Sequence, residues 1–219
     1  TLGDWQGLLA TPLIRIGQFG ILGGSGFFLA GVGTNAGVLA FFLFQMVFMD
    51  TAATIPTGSM AERLKFVGFV FMSLWVSMII YPIAGGWVWG GGWLQNLGRA
   101  AGLGNGAVDF AGSGVVHLIG GAIALAGAIV IGPRIGKFNK DGSANTIPGH
   151  NLSLGILGTI ILFFGWFGFN PGSSLGFVGA FRNLAVIAAI NTLMAGAAGG
   201  VSAMVYAWLV GPTKKPDPA

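Results

Sequence analysis

The sequence predicts an all-α fold, a polytopic bundle of membrane-spanning helices. Three observations predict it. Only 7% of the 219 residues are charged, against roughly 25% in a soluble domain. Apolar residues make up 54% of the chain, and mean hydropathy is +0.81. Five segments stay mostly apolar over about 20 residues, the length that crosses a bilayer core. This composition excludes a free soluble domain and also a disordered chain, which needs low hydrophobicity and high net charge. The 41 glycines follow no three-residue period, so collagen is excluded. Zero Cys excludes a disulfide scaffold, Cys-ligated metal and a thiol nucleophile. The net charge of +4 is scattered in ones and twos with no basic stripe, so nucleic acid is not an expected partner.

The elements follow in chain order. Residues 1–35 are Gly-rich, and their apolar run ILGGSGFFLAG (21–31) is too short to span. They are expected to form an ordered extracytoplasmic loop with a re-entrant turn. Residues 1–12 lack an initiator Met and a basic n-region, so the chain reads as a piece of something longer. The first span is expected over about 36–59 (AGVLAFFLFQMVFMDTAATIPTGS), with Pro56 and Gly58 kinking its end. The second is expected over about 66–86, the third over 111–132, the fourth over 151–170 with Pro171 stopping it, and the fifth over 184–210. Residues 211–219 form a tail or linker.

Lys and Arg set the orientation, because cytoplasmic loops collect them. Following the first span come Arg63 and Lys65. The next loop carries Arg99, and the next Arg134, Lys137 and Lys140. Arg182 follows, then Lys214 and Lys215. The alternation places the N-terminal end outside and the C-terminal end in the cytoplasm of a multi-pass protein of the cell (inner) membrane.

Few polar residues fall inside the spans. His117 has only small neighbours on its helical face: Ser113, Gly114, Gly120 and Gly121, then Ala124 and Ala128. Either another helix packs there, or the imidazole projects into a narrow lumen. Asp109 precedes the third span, as a helix cap or as a carboxylate shaping a cation site. Phe44 and Phe48 are four apart and share a face. Asp50 points nearly the opposite way and is expected to be paired within the bundle. Trp87, Trp89 and Trp93 lie in GGWVWGGGW (85–93), either as an interfacial belt or with an indole face turned to a cation. The fourth span ends in GWFGFNPGSS (165–174), bringing Trp166, Phe169, Asn170 and Ser173 to a mouth on the outer side.

Aromatic faces at a mouth suit a small, weakly hydrated cation. A neutral imidazole below them suits a hydrogen-bonding neutral solute. No phosphate loop, HExxH, paired catalytic carboxylates or Ser/His/Asp set appears. No catalytic residue, metal or cofactor is therefore expected, and the chain does not read as an enzyme. A structural subunit packing through Gly/Ala faces leaves these aromatics and His117 unexplained.

The motifs FQMVF (44–48), MAERLKF (60–66), VWGGGWL (88–94), DFAGSGVVH (109–117) and FGWFGFNPGSS (164–174) resemble those of the ammonium transporter family (Amt/Mep/Rh), in family order. The resemblance implies an eleven-span fold of two inverted five-helix halves, assembled as a homotrimer. This chain aligns with the third to seventh spans. It implies an ammonium recruitment site of Phe44, Phe48, Trp89 and Ser173, organised by Asp109, and a phenyl gate of Phe48 and Phe169. It makes Trp166 pore-lining and His117 the first of two pore histidines. The second belongs to a span beyond this sequence, because His150 falls in a cytoplasmic loop. Ammonium or ammonia is the implied substrate and a PII-class cytoplasmic protein a regulator, with membrane lipid around the bundle. The same membrane fold also serves ammonium sensors that carry a signalling domain.

Overall fold

The segments Pro12–Ile16 and Phe19–Gly23 pair as the first element, an antiparallel hairpin of β1 and β2. Gly17, at φ +59°, and Gln18 make the turn between them. The structure, a computed structural model, describes residues 12–31, 33–211 and 214–215. The expected loop over 1–11 and the tail at 212–213 and 216–219 lie outside the described residues. Where a loop with a re-entrant turn was expected, residues 12–23 pair as strands. Ile14, Ile16, Phe19 and Ile21 favour extended backbone. The indole of Trp87 fastens the hairpin by donating to the Ile21 carbonyl at 2.8 Å.

The fold is otherwise helical, and five stretches among the described residues are long and apolar enough to cross a membrane. Helix α1 spans Ala36–Ser59 and starts where the Asn35 side chain accepts the Val38 N–H at 3.1 Å. The second stretch is built of α2 (Phe66–Trp75), a π-helical turn (Val76–Ile80) and α3 (Tyr81–Val88). It breaks at Trp89–Gly92 and resumes as α4 (Trp93–Ala100). The third is a π-helical turn (Ser113–Leu118) running into α5 (Ile119–Ile131). Neither π turn has a signature in the hydrophobic pattern, because one extra residue per turn leaves the segment equally apolar.

Asp50 differs from its expected pairing. It is exposed on α1, with no ion pair or hydrogen bond among the described residues. It borders a shallow cleft with Phe69, Ser73 and Ser77.

The chain divides into two units, Thr1–Asn145 and Thr146–Ala219. In the first, α1 lies against α5, and glycine decides how closely. A Cβ on Gly120 would lie 2.8 Å from Ile55 Cδ1 and 3.1 Å from the Ala52 carbonyl oxygen. A Cβ on Gly121 would meet nothing within 4 Å. The small face around His117 is thus split, packed at Gly120 and open at Gly121.

The ends of α1 and α5 are tied together. Ser59 Oγ donates to the Ala124 carbonyl at 3.0 Å. The Arg63 guanidinium donates to the carbonyls of Ser59 and Gly132. Arg134 makes a two-pronged bond to Glu62, Nε to Oε2 at 2.8 Å and Nη2 to Oε1 at 2.6 Å. That bond holds the Glu62 carboxyl below its ordinary range and raises the Arg134 guanidinium.

In the second unit, α6 (Leu152–Gly172) packs on α7 (Ala180–Leu209). The Asn151 side chain caps α6 by accepting the Leu154 N–H at 3.0 Å. Pro171, expected to stop this helix, lies inside its last turn, and Ser173 is the C-cap. The Ser173 N–H and hydroxyl both reach the Phe169 carbonyl, at 3.3 and 2.8 Å, so the turn closes despite the proline. Asn170 Nδ2 donates to Thr192 Oγ1 at 2.9 Å and joins the two helices.

Candidate functional site

Within the first unit, five of the sequence-predicted residues form one connected group. Phe44 and Phe48, one turn apart on α1, place their ring centroids 4.1 Å apart. Phe48 is buried, only 2% exposed. Trp89 also packs against Phe48, centroid 6.2 Å away and tilted by 59°. The indole N–H of Trp89 donates to the Asp109 backbone oxygen at 2.7 Å. That bond consumes the one polar donor of the ring and leaves its π face for a ligand.

Asp109 carries the next link. Its Oδ1 accepts the Gly112 N–H at 2.6 Å, and its Oδ2 accepts the N–H groups of Gly114 and Val115, each at 2.8 Å. The carboxylate thus caps the third helical stretch from three residues ahead of Gly112, which sits at the N-cap with φ +90°. Of the two readings of Asp109, the geometry carries the cap. Its charge is committed to backbone donors, so any effect on a cation in the mouth acts through the backbone it holds in place.

Gly112 in turn serves His117. Its carbonyl accepts the N–H groups of Val116 and His117, both at 2.9 Å, and lies 3.2 Å from His117 Nδ1. The π turn makes the double acceptance possible, since the extra residue brings His117 N–H back over the same oxygen. A carbonyl only accepts, so this contact is a hydrogen bond when Nδ1 carries the proton, and Nε2 is then the acceptor nitrogen. His117 is half-buried.

The remaining predicted residues belong to the second unit, at the end of α6. Trp166 and Phe169 stack with centroids 5.5 Å apart and planes at 29°. Ser173 is buried, and its hydroxyl proton is spent on the Phe169 carbonyl, leaving oxygen lone pairs.

One residue pair escaped the reading of the sequence. Tyr81 is 5% exposed, and its hydroxyl donates to Gln45 Oε1 at 2.8 Å. The signal was available, because Gln45 lies inside FQMVF and a lone amide in an apolar span calls for a polar partner.

Apolar helices of membrane-crossing length, with aromatic rings set around a capped helix start, define a multi-pass helical membrane protein. The model of the Ammonium Transporter Family matches residues 9–218. The chain belongs to the ammonium transporter family. It is 50% identical over 208 residues to ammonium transporter Amt2 of Archaeoglobus fulgidus, covering 94% of this chain and 41% of that one. It is 39% identical over 189 residues to ammonium transporter 1 member 3 of Solanum lycopersicum, covering 82% of this chain and 41% of that one. A solved structure named Sensor Amt Protein superposes with a TM-score of 0.79 at 41% identity, covering 97% of this chain and 51% of that chain. The chain thus spans about two fifths of the length of these curated relatives.

Proposed function

We propose that this protein takes part in moving ammonium or ammonia across a membrane. The observation that carries the reading is the Phe44–Phe48–Trp89 ring set with its indole N–H already bonded to Asp109. Ammonium is a cation that only donates hydrogen bonds. A fitting site offers π faces and acceptor lone pairs and withholds its own donors. Trp89 has spent its N–H and Ser173 its O–H, so both present what ammonium needs. Cation–π contact contributes about 2 kcal/mol or more once the ion is desolvated.

In this reading Phe44, Phe48, Trp89 and Ser173 recruit the ion, and Asp109 acts by holding Trp89 and the helix start. Full desolvation of the cation in the apolar path costs far more than the rings return. The ion therefore gives up its proton, and neutral ammonia passes the phenyl gate of Phe48 and Phe169. Trp166 lines the path, and His117 accepts and relays the proton. The assignment of Trp166, Phe169 and Ser173 to this mouth rests on the motif FGWFGFNPGSS. The site uses no catalytic residue, metal or cofactor. Homotrimer assembly, a PII-class regulator, the inner membrane and an external N-terminal end complete the reading, the last from the alternation of loop bases. The test is His117→Ala in proteoliposomes on a solid-supported membrane. Loss of the ammonium-evoked current supports the relay, and an unaltered current refutes it.

A sensor is the second reading, favoured by the likeness to a structure named Sensor Amt Protein. Ammonium binding without sustained flux, paired with a signalling output of the complete reading frame, would select it.

A further inference from the structure

We propose that Tyr81 and Gln45 are a positioning pair that sets the gap between Phe48 and Trp89. The inference rests on the ammonium reading and deepens it, naming the residues that tune the recruitment site without touching the ion.

Gln45 follows Phe44 directly and lies three residues before Phe48 on α1, so its anchoring fixes the rotation of the ring-bearing face. Tyr81 opens α3 at the exit of the π turn, and Trp89 is the residue that ends the same helix. The 2.8 Å bond between Tyr81 Oη and Gln45 Oε1 therefore ties together the two backbones that carry Phe48 and Trp89. The two rings meet at a 6.2 Å centroid distance and a 59° tilt, an ordinary aromatic contact whose geometry is broad. Ring contact alone does not define that gap.

Two further bonds hold the far side of the same geometry. Trp89 is fixed to the Asp109 carbonyl, and Asp109 to the N–H groups at the start of the third helical stretch. The position of Trp89 is thus fixed at its indole nitrogen and, through α3, at Tyr81. Removal of the Tyr81 link leaves the indole anchored to Asp109 and leaves the Phe44–Phe48 part of α1 without its side-chain bond to α3. The expected effect is a wider, less discriminating slot rather than a collapsed one. A buried polar pair in a membrane span also costs more than an apolar contact of the same volume, so stability alone does not account for it.

The experiment uses the full chain in proteoliposomes with Tyr81→Phe, Gln45→Met and the double variant. Tyr81→Phe removes one oxygen, and Gln45→Met keeps length and volume. The expected result is a 3- to 10-fold rise in half-saturating ammonium at nearly unchanged maximal rate, by the usual size of a lost buried hydrogen bond of about 1 kcal/mol. Discrimination against methylammonium should fall by a similar factor. The double variant should match either single one, because both remove the same bond. A readout independent of transport is the ¹⁹F resonance of 5-fluorotryptophan placed at position 89 alone, expected to move equally in all three variants. An unmoved resonance, or additive effects in the double variant, overturns the pair. If the resonance moves as expected while the unmutated protein neither binds nor passes ammonium, the pair stands and the ammonium reading falls. Should Tyr81→Phe not fold, Gln45→Met gives both readouts by itself.

Discussion

The indole nitrogen of Trp89 and the backbone oxygen of Asp109 lie 2.7 Å apart, so the aromatic face beside Phe48 is aimed by a main-chain carbonyl. Backbone placed by a capped helix start is a stiff reference, and this separates two properties of the tryptophan. Trp89→Phe keeps a π face and loses the tether, whereas Trp89→Leu loses both. Half-saturating ammonium is expected to rise about 10- to 30-fold in Trp89→Leu, from a cation–π contribution near 2 kcal/mol. Trp89→Phe should fall between that variant and the unmutated protein. Equal half-saturation in Trp89→Leu and the unmutated protein would remove the indole from the site.

Asp109 is expected to matter first for folding. Asp109→Asn replaces one acceptor oxygen with an amide donor that faces backbone N–H groups of Gly112, Gly114 or Val115. Bonds to a charged acceptor contribute about 1.5–3 kcal/mol each, so the loss should be at least about 2 kcal/mol. A lowered melting temperature in detergent, present without any ammonium, is the measurement. Had Asp109 acted on the ion alone, the melting temperature would stay and only ammonium affinity would move.

Much of this was readable beforehand, for a physical reason. Apolar length is enforced by the bilayer itself, so the stretches that begin at Ala36 and Leu152, each capped by Asn, declare themselves. Hydrogen-bond partners between distant segments do not. The Tyr81–Gln45 bond joins residues 36 apart in the chain. The two π turns change which groups share a carbonyl without changing hydropathy. The 12–23 hairpin was hidden because its glycines read as loop, although Ile14, Ile16, Phe19 and Ile21 favour a strand. Pro171 misled in the opposite direction. A proline removes only its own N–H from the ladder, and the helix runs on to Gly172 because the Ser173 N–H and hydroxyl still reach the Phe169 carbonyl.

Acid should weaken the tie between the ends of α1 and α5. Arg134, bonded to Glu62, holds the Glu62 carboxyl below its ordinary value of 4.5. A depressed folded-state pKa gives stability that is present above the unfolded value and lost as pH falls through the folded one. Glu62→Gln should therefore melt below the unmutated protein at neutral pH, and the difference should vanish well below pH 4.5. The pair is exposed, so the difference is expected to be small and to shrink in high salt. A gap that persists unchanged into strong acid would show that the ion pair is not its source.

Gly120 and Gly121 provide the sharpest contrast, since neighbouring glycines on one helix meet opposite surroundings. An alanine at Gly121 finds nothing within 4 Å of its new methyl. It also gains the helix propensity that glycine lacks, about 0.8–1 kcal/mol, so Gly121→Ala should be neutral or stabilising. An alanine at Gly120 places its methyl 2.8 Å from Ile55 Cδ1, 2.9 Å from Ile55 Cβ and 3.1 Å from the Ala52 oxygen. The Ile55 tip can rotate away, but its Cβ and the Ala52 carbonyl belong to the α1 framework. That carbonyl is also the one deprived of its i+4 donor by Pro56, so α1 cannot easily withdraw it into a regular helical bond. Overpacking of this kind costs about 1–3 kcal/mol. Relief requires α5 to move off α1, and Gly120 lies only three residues beyond His117. Gly120→Ala should therefore lower the melting temperature and also slow ammonium current, while Gly121→Ala does neither. Equal melting of the two variants would mean that α1 and α5 do not approach each other at Gly120.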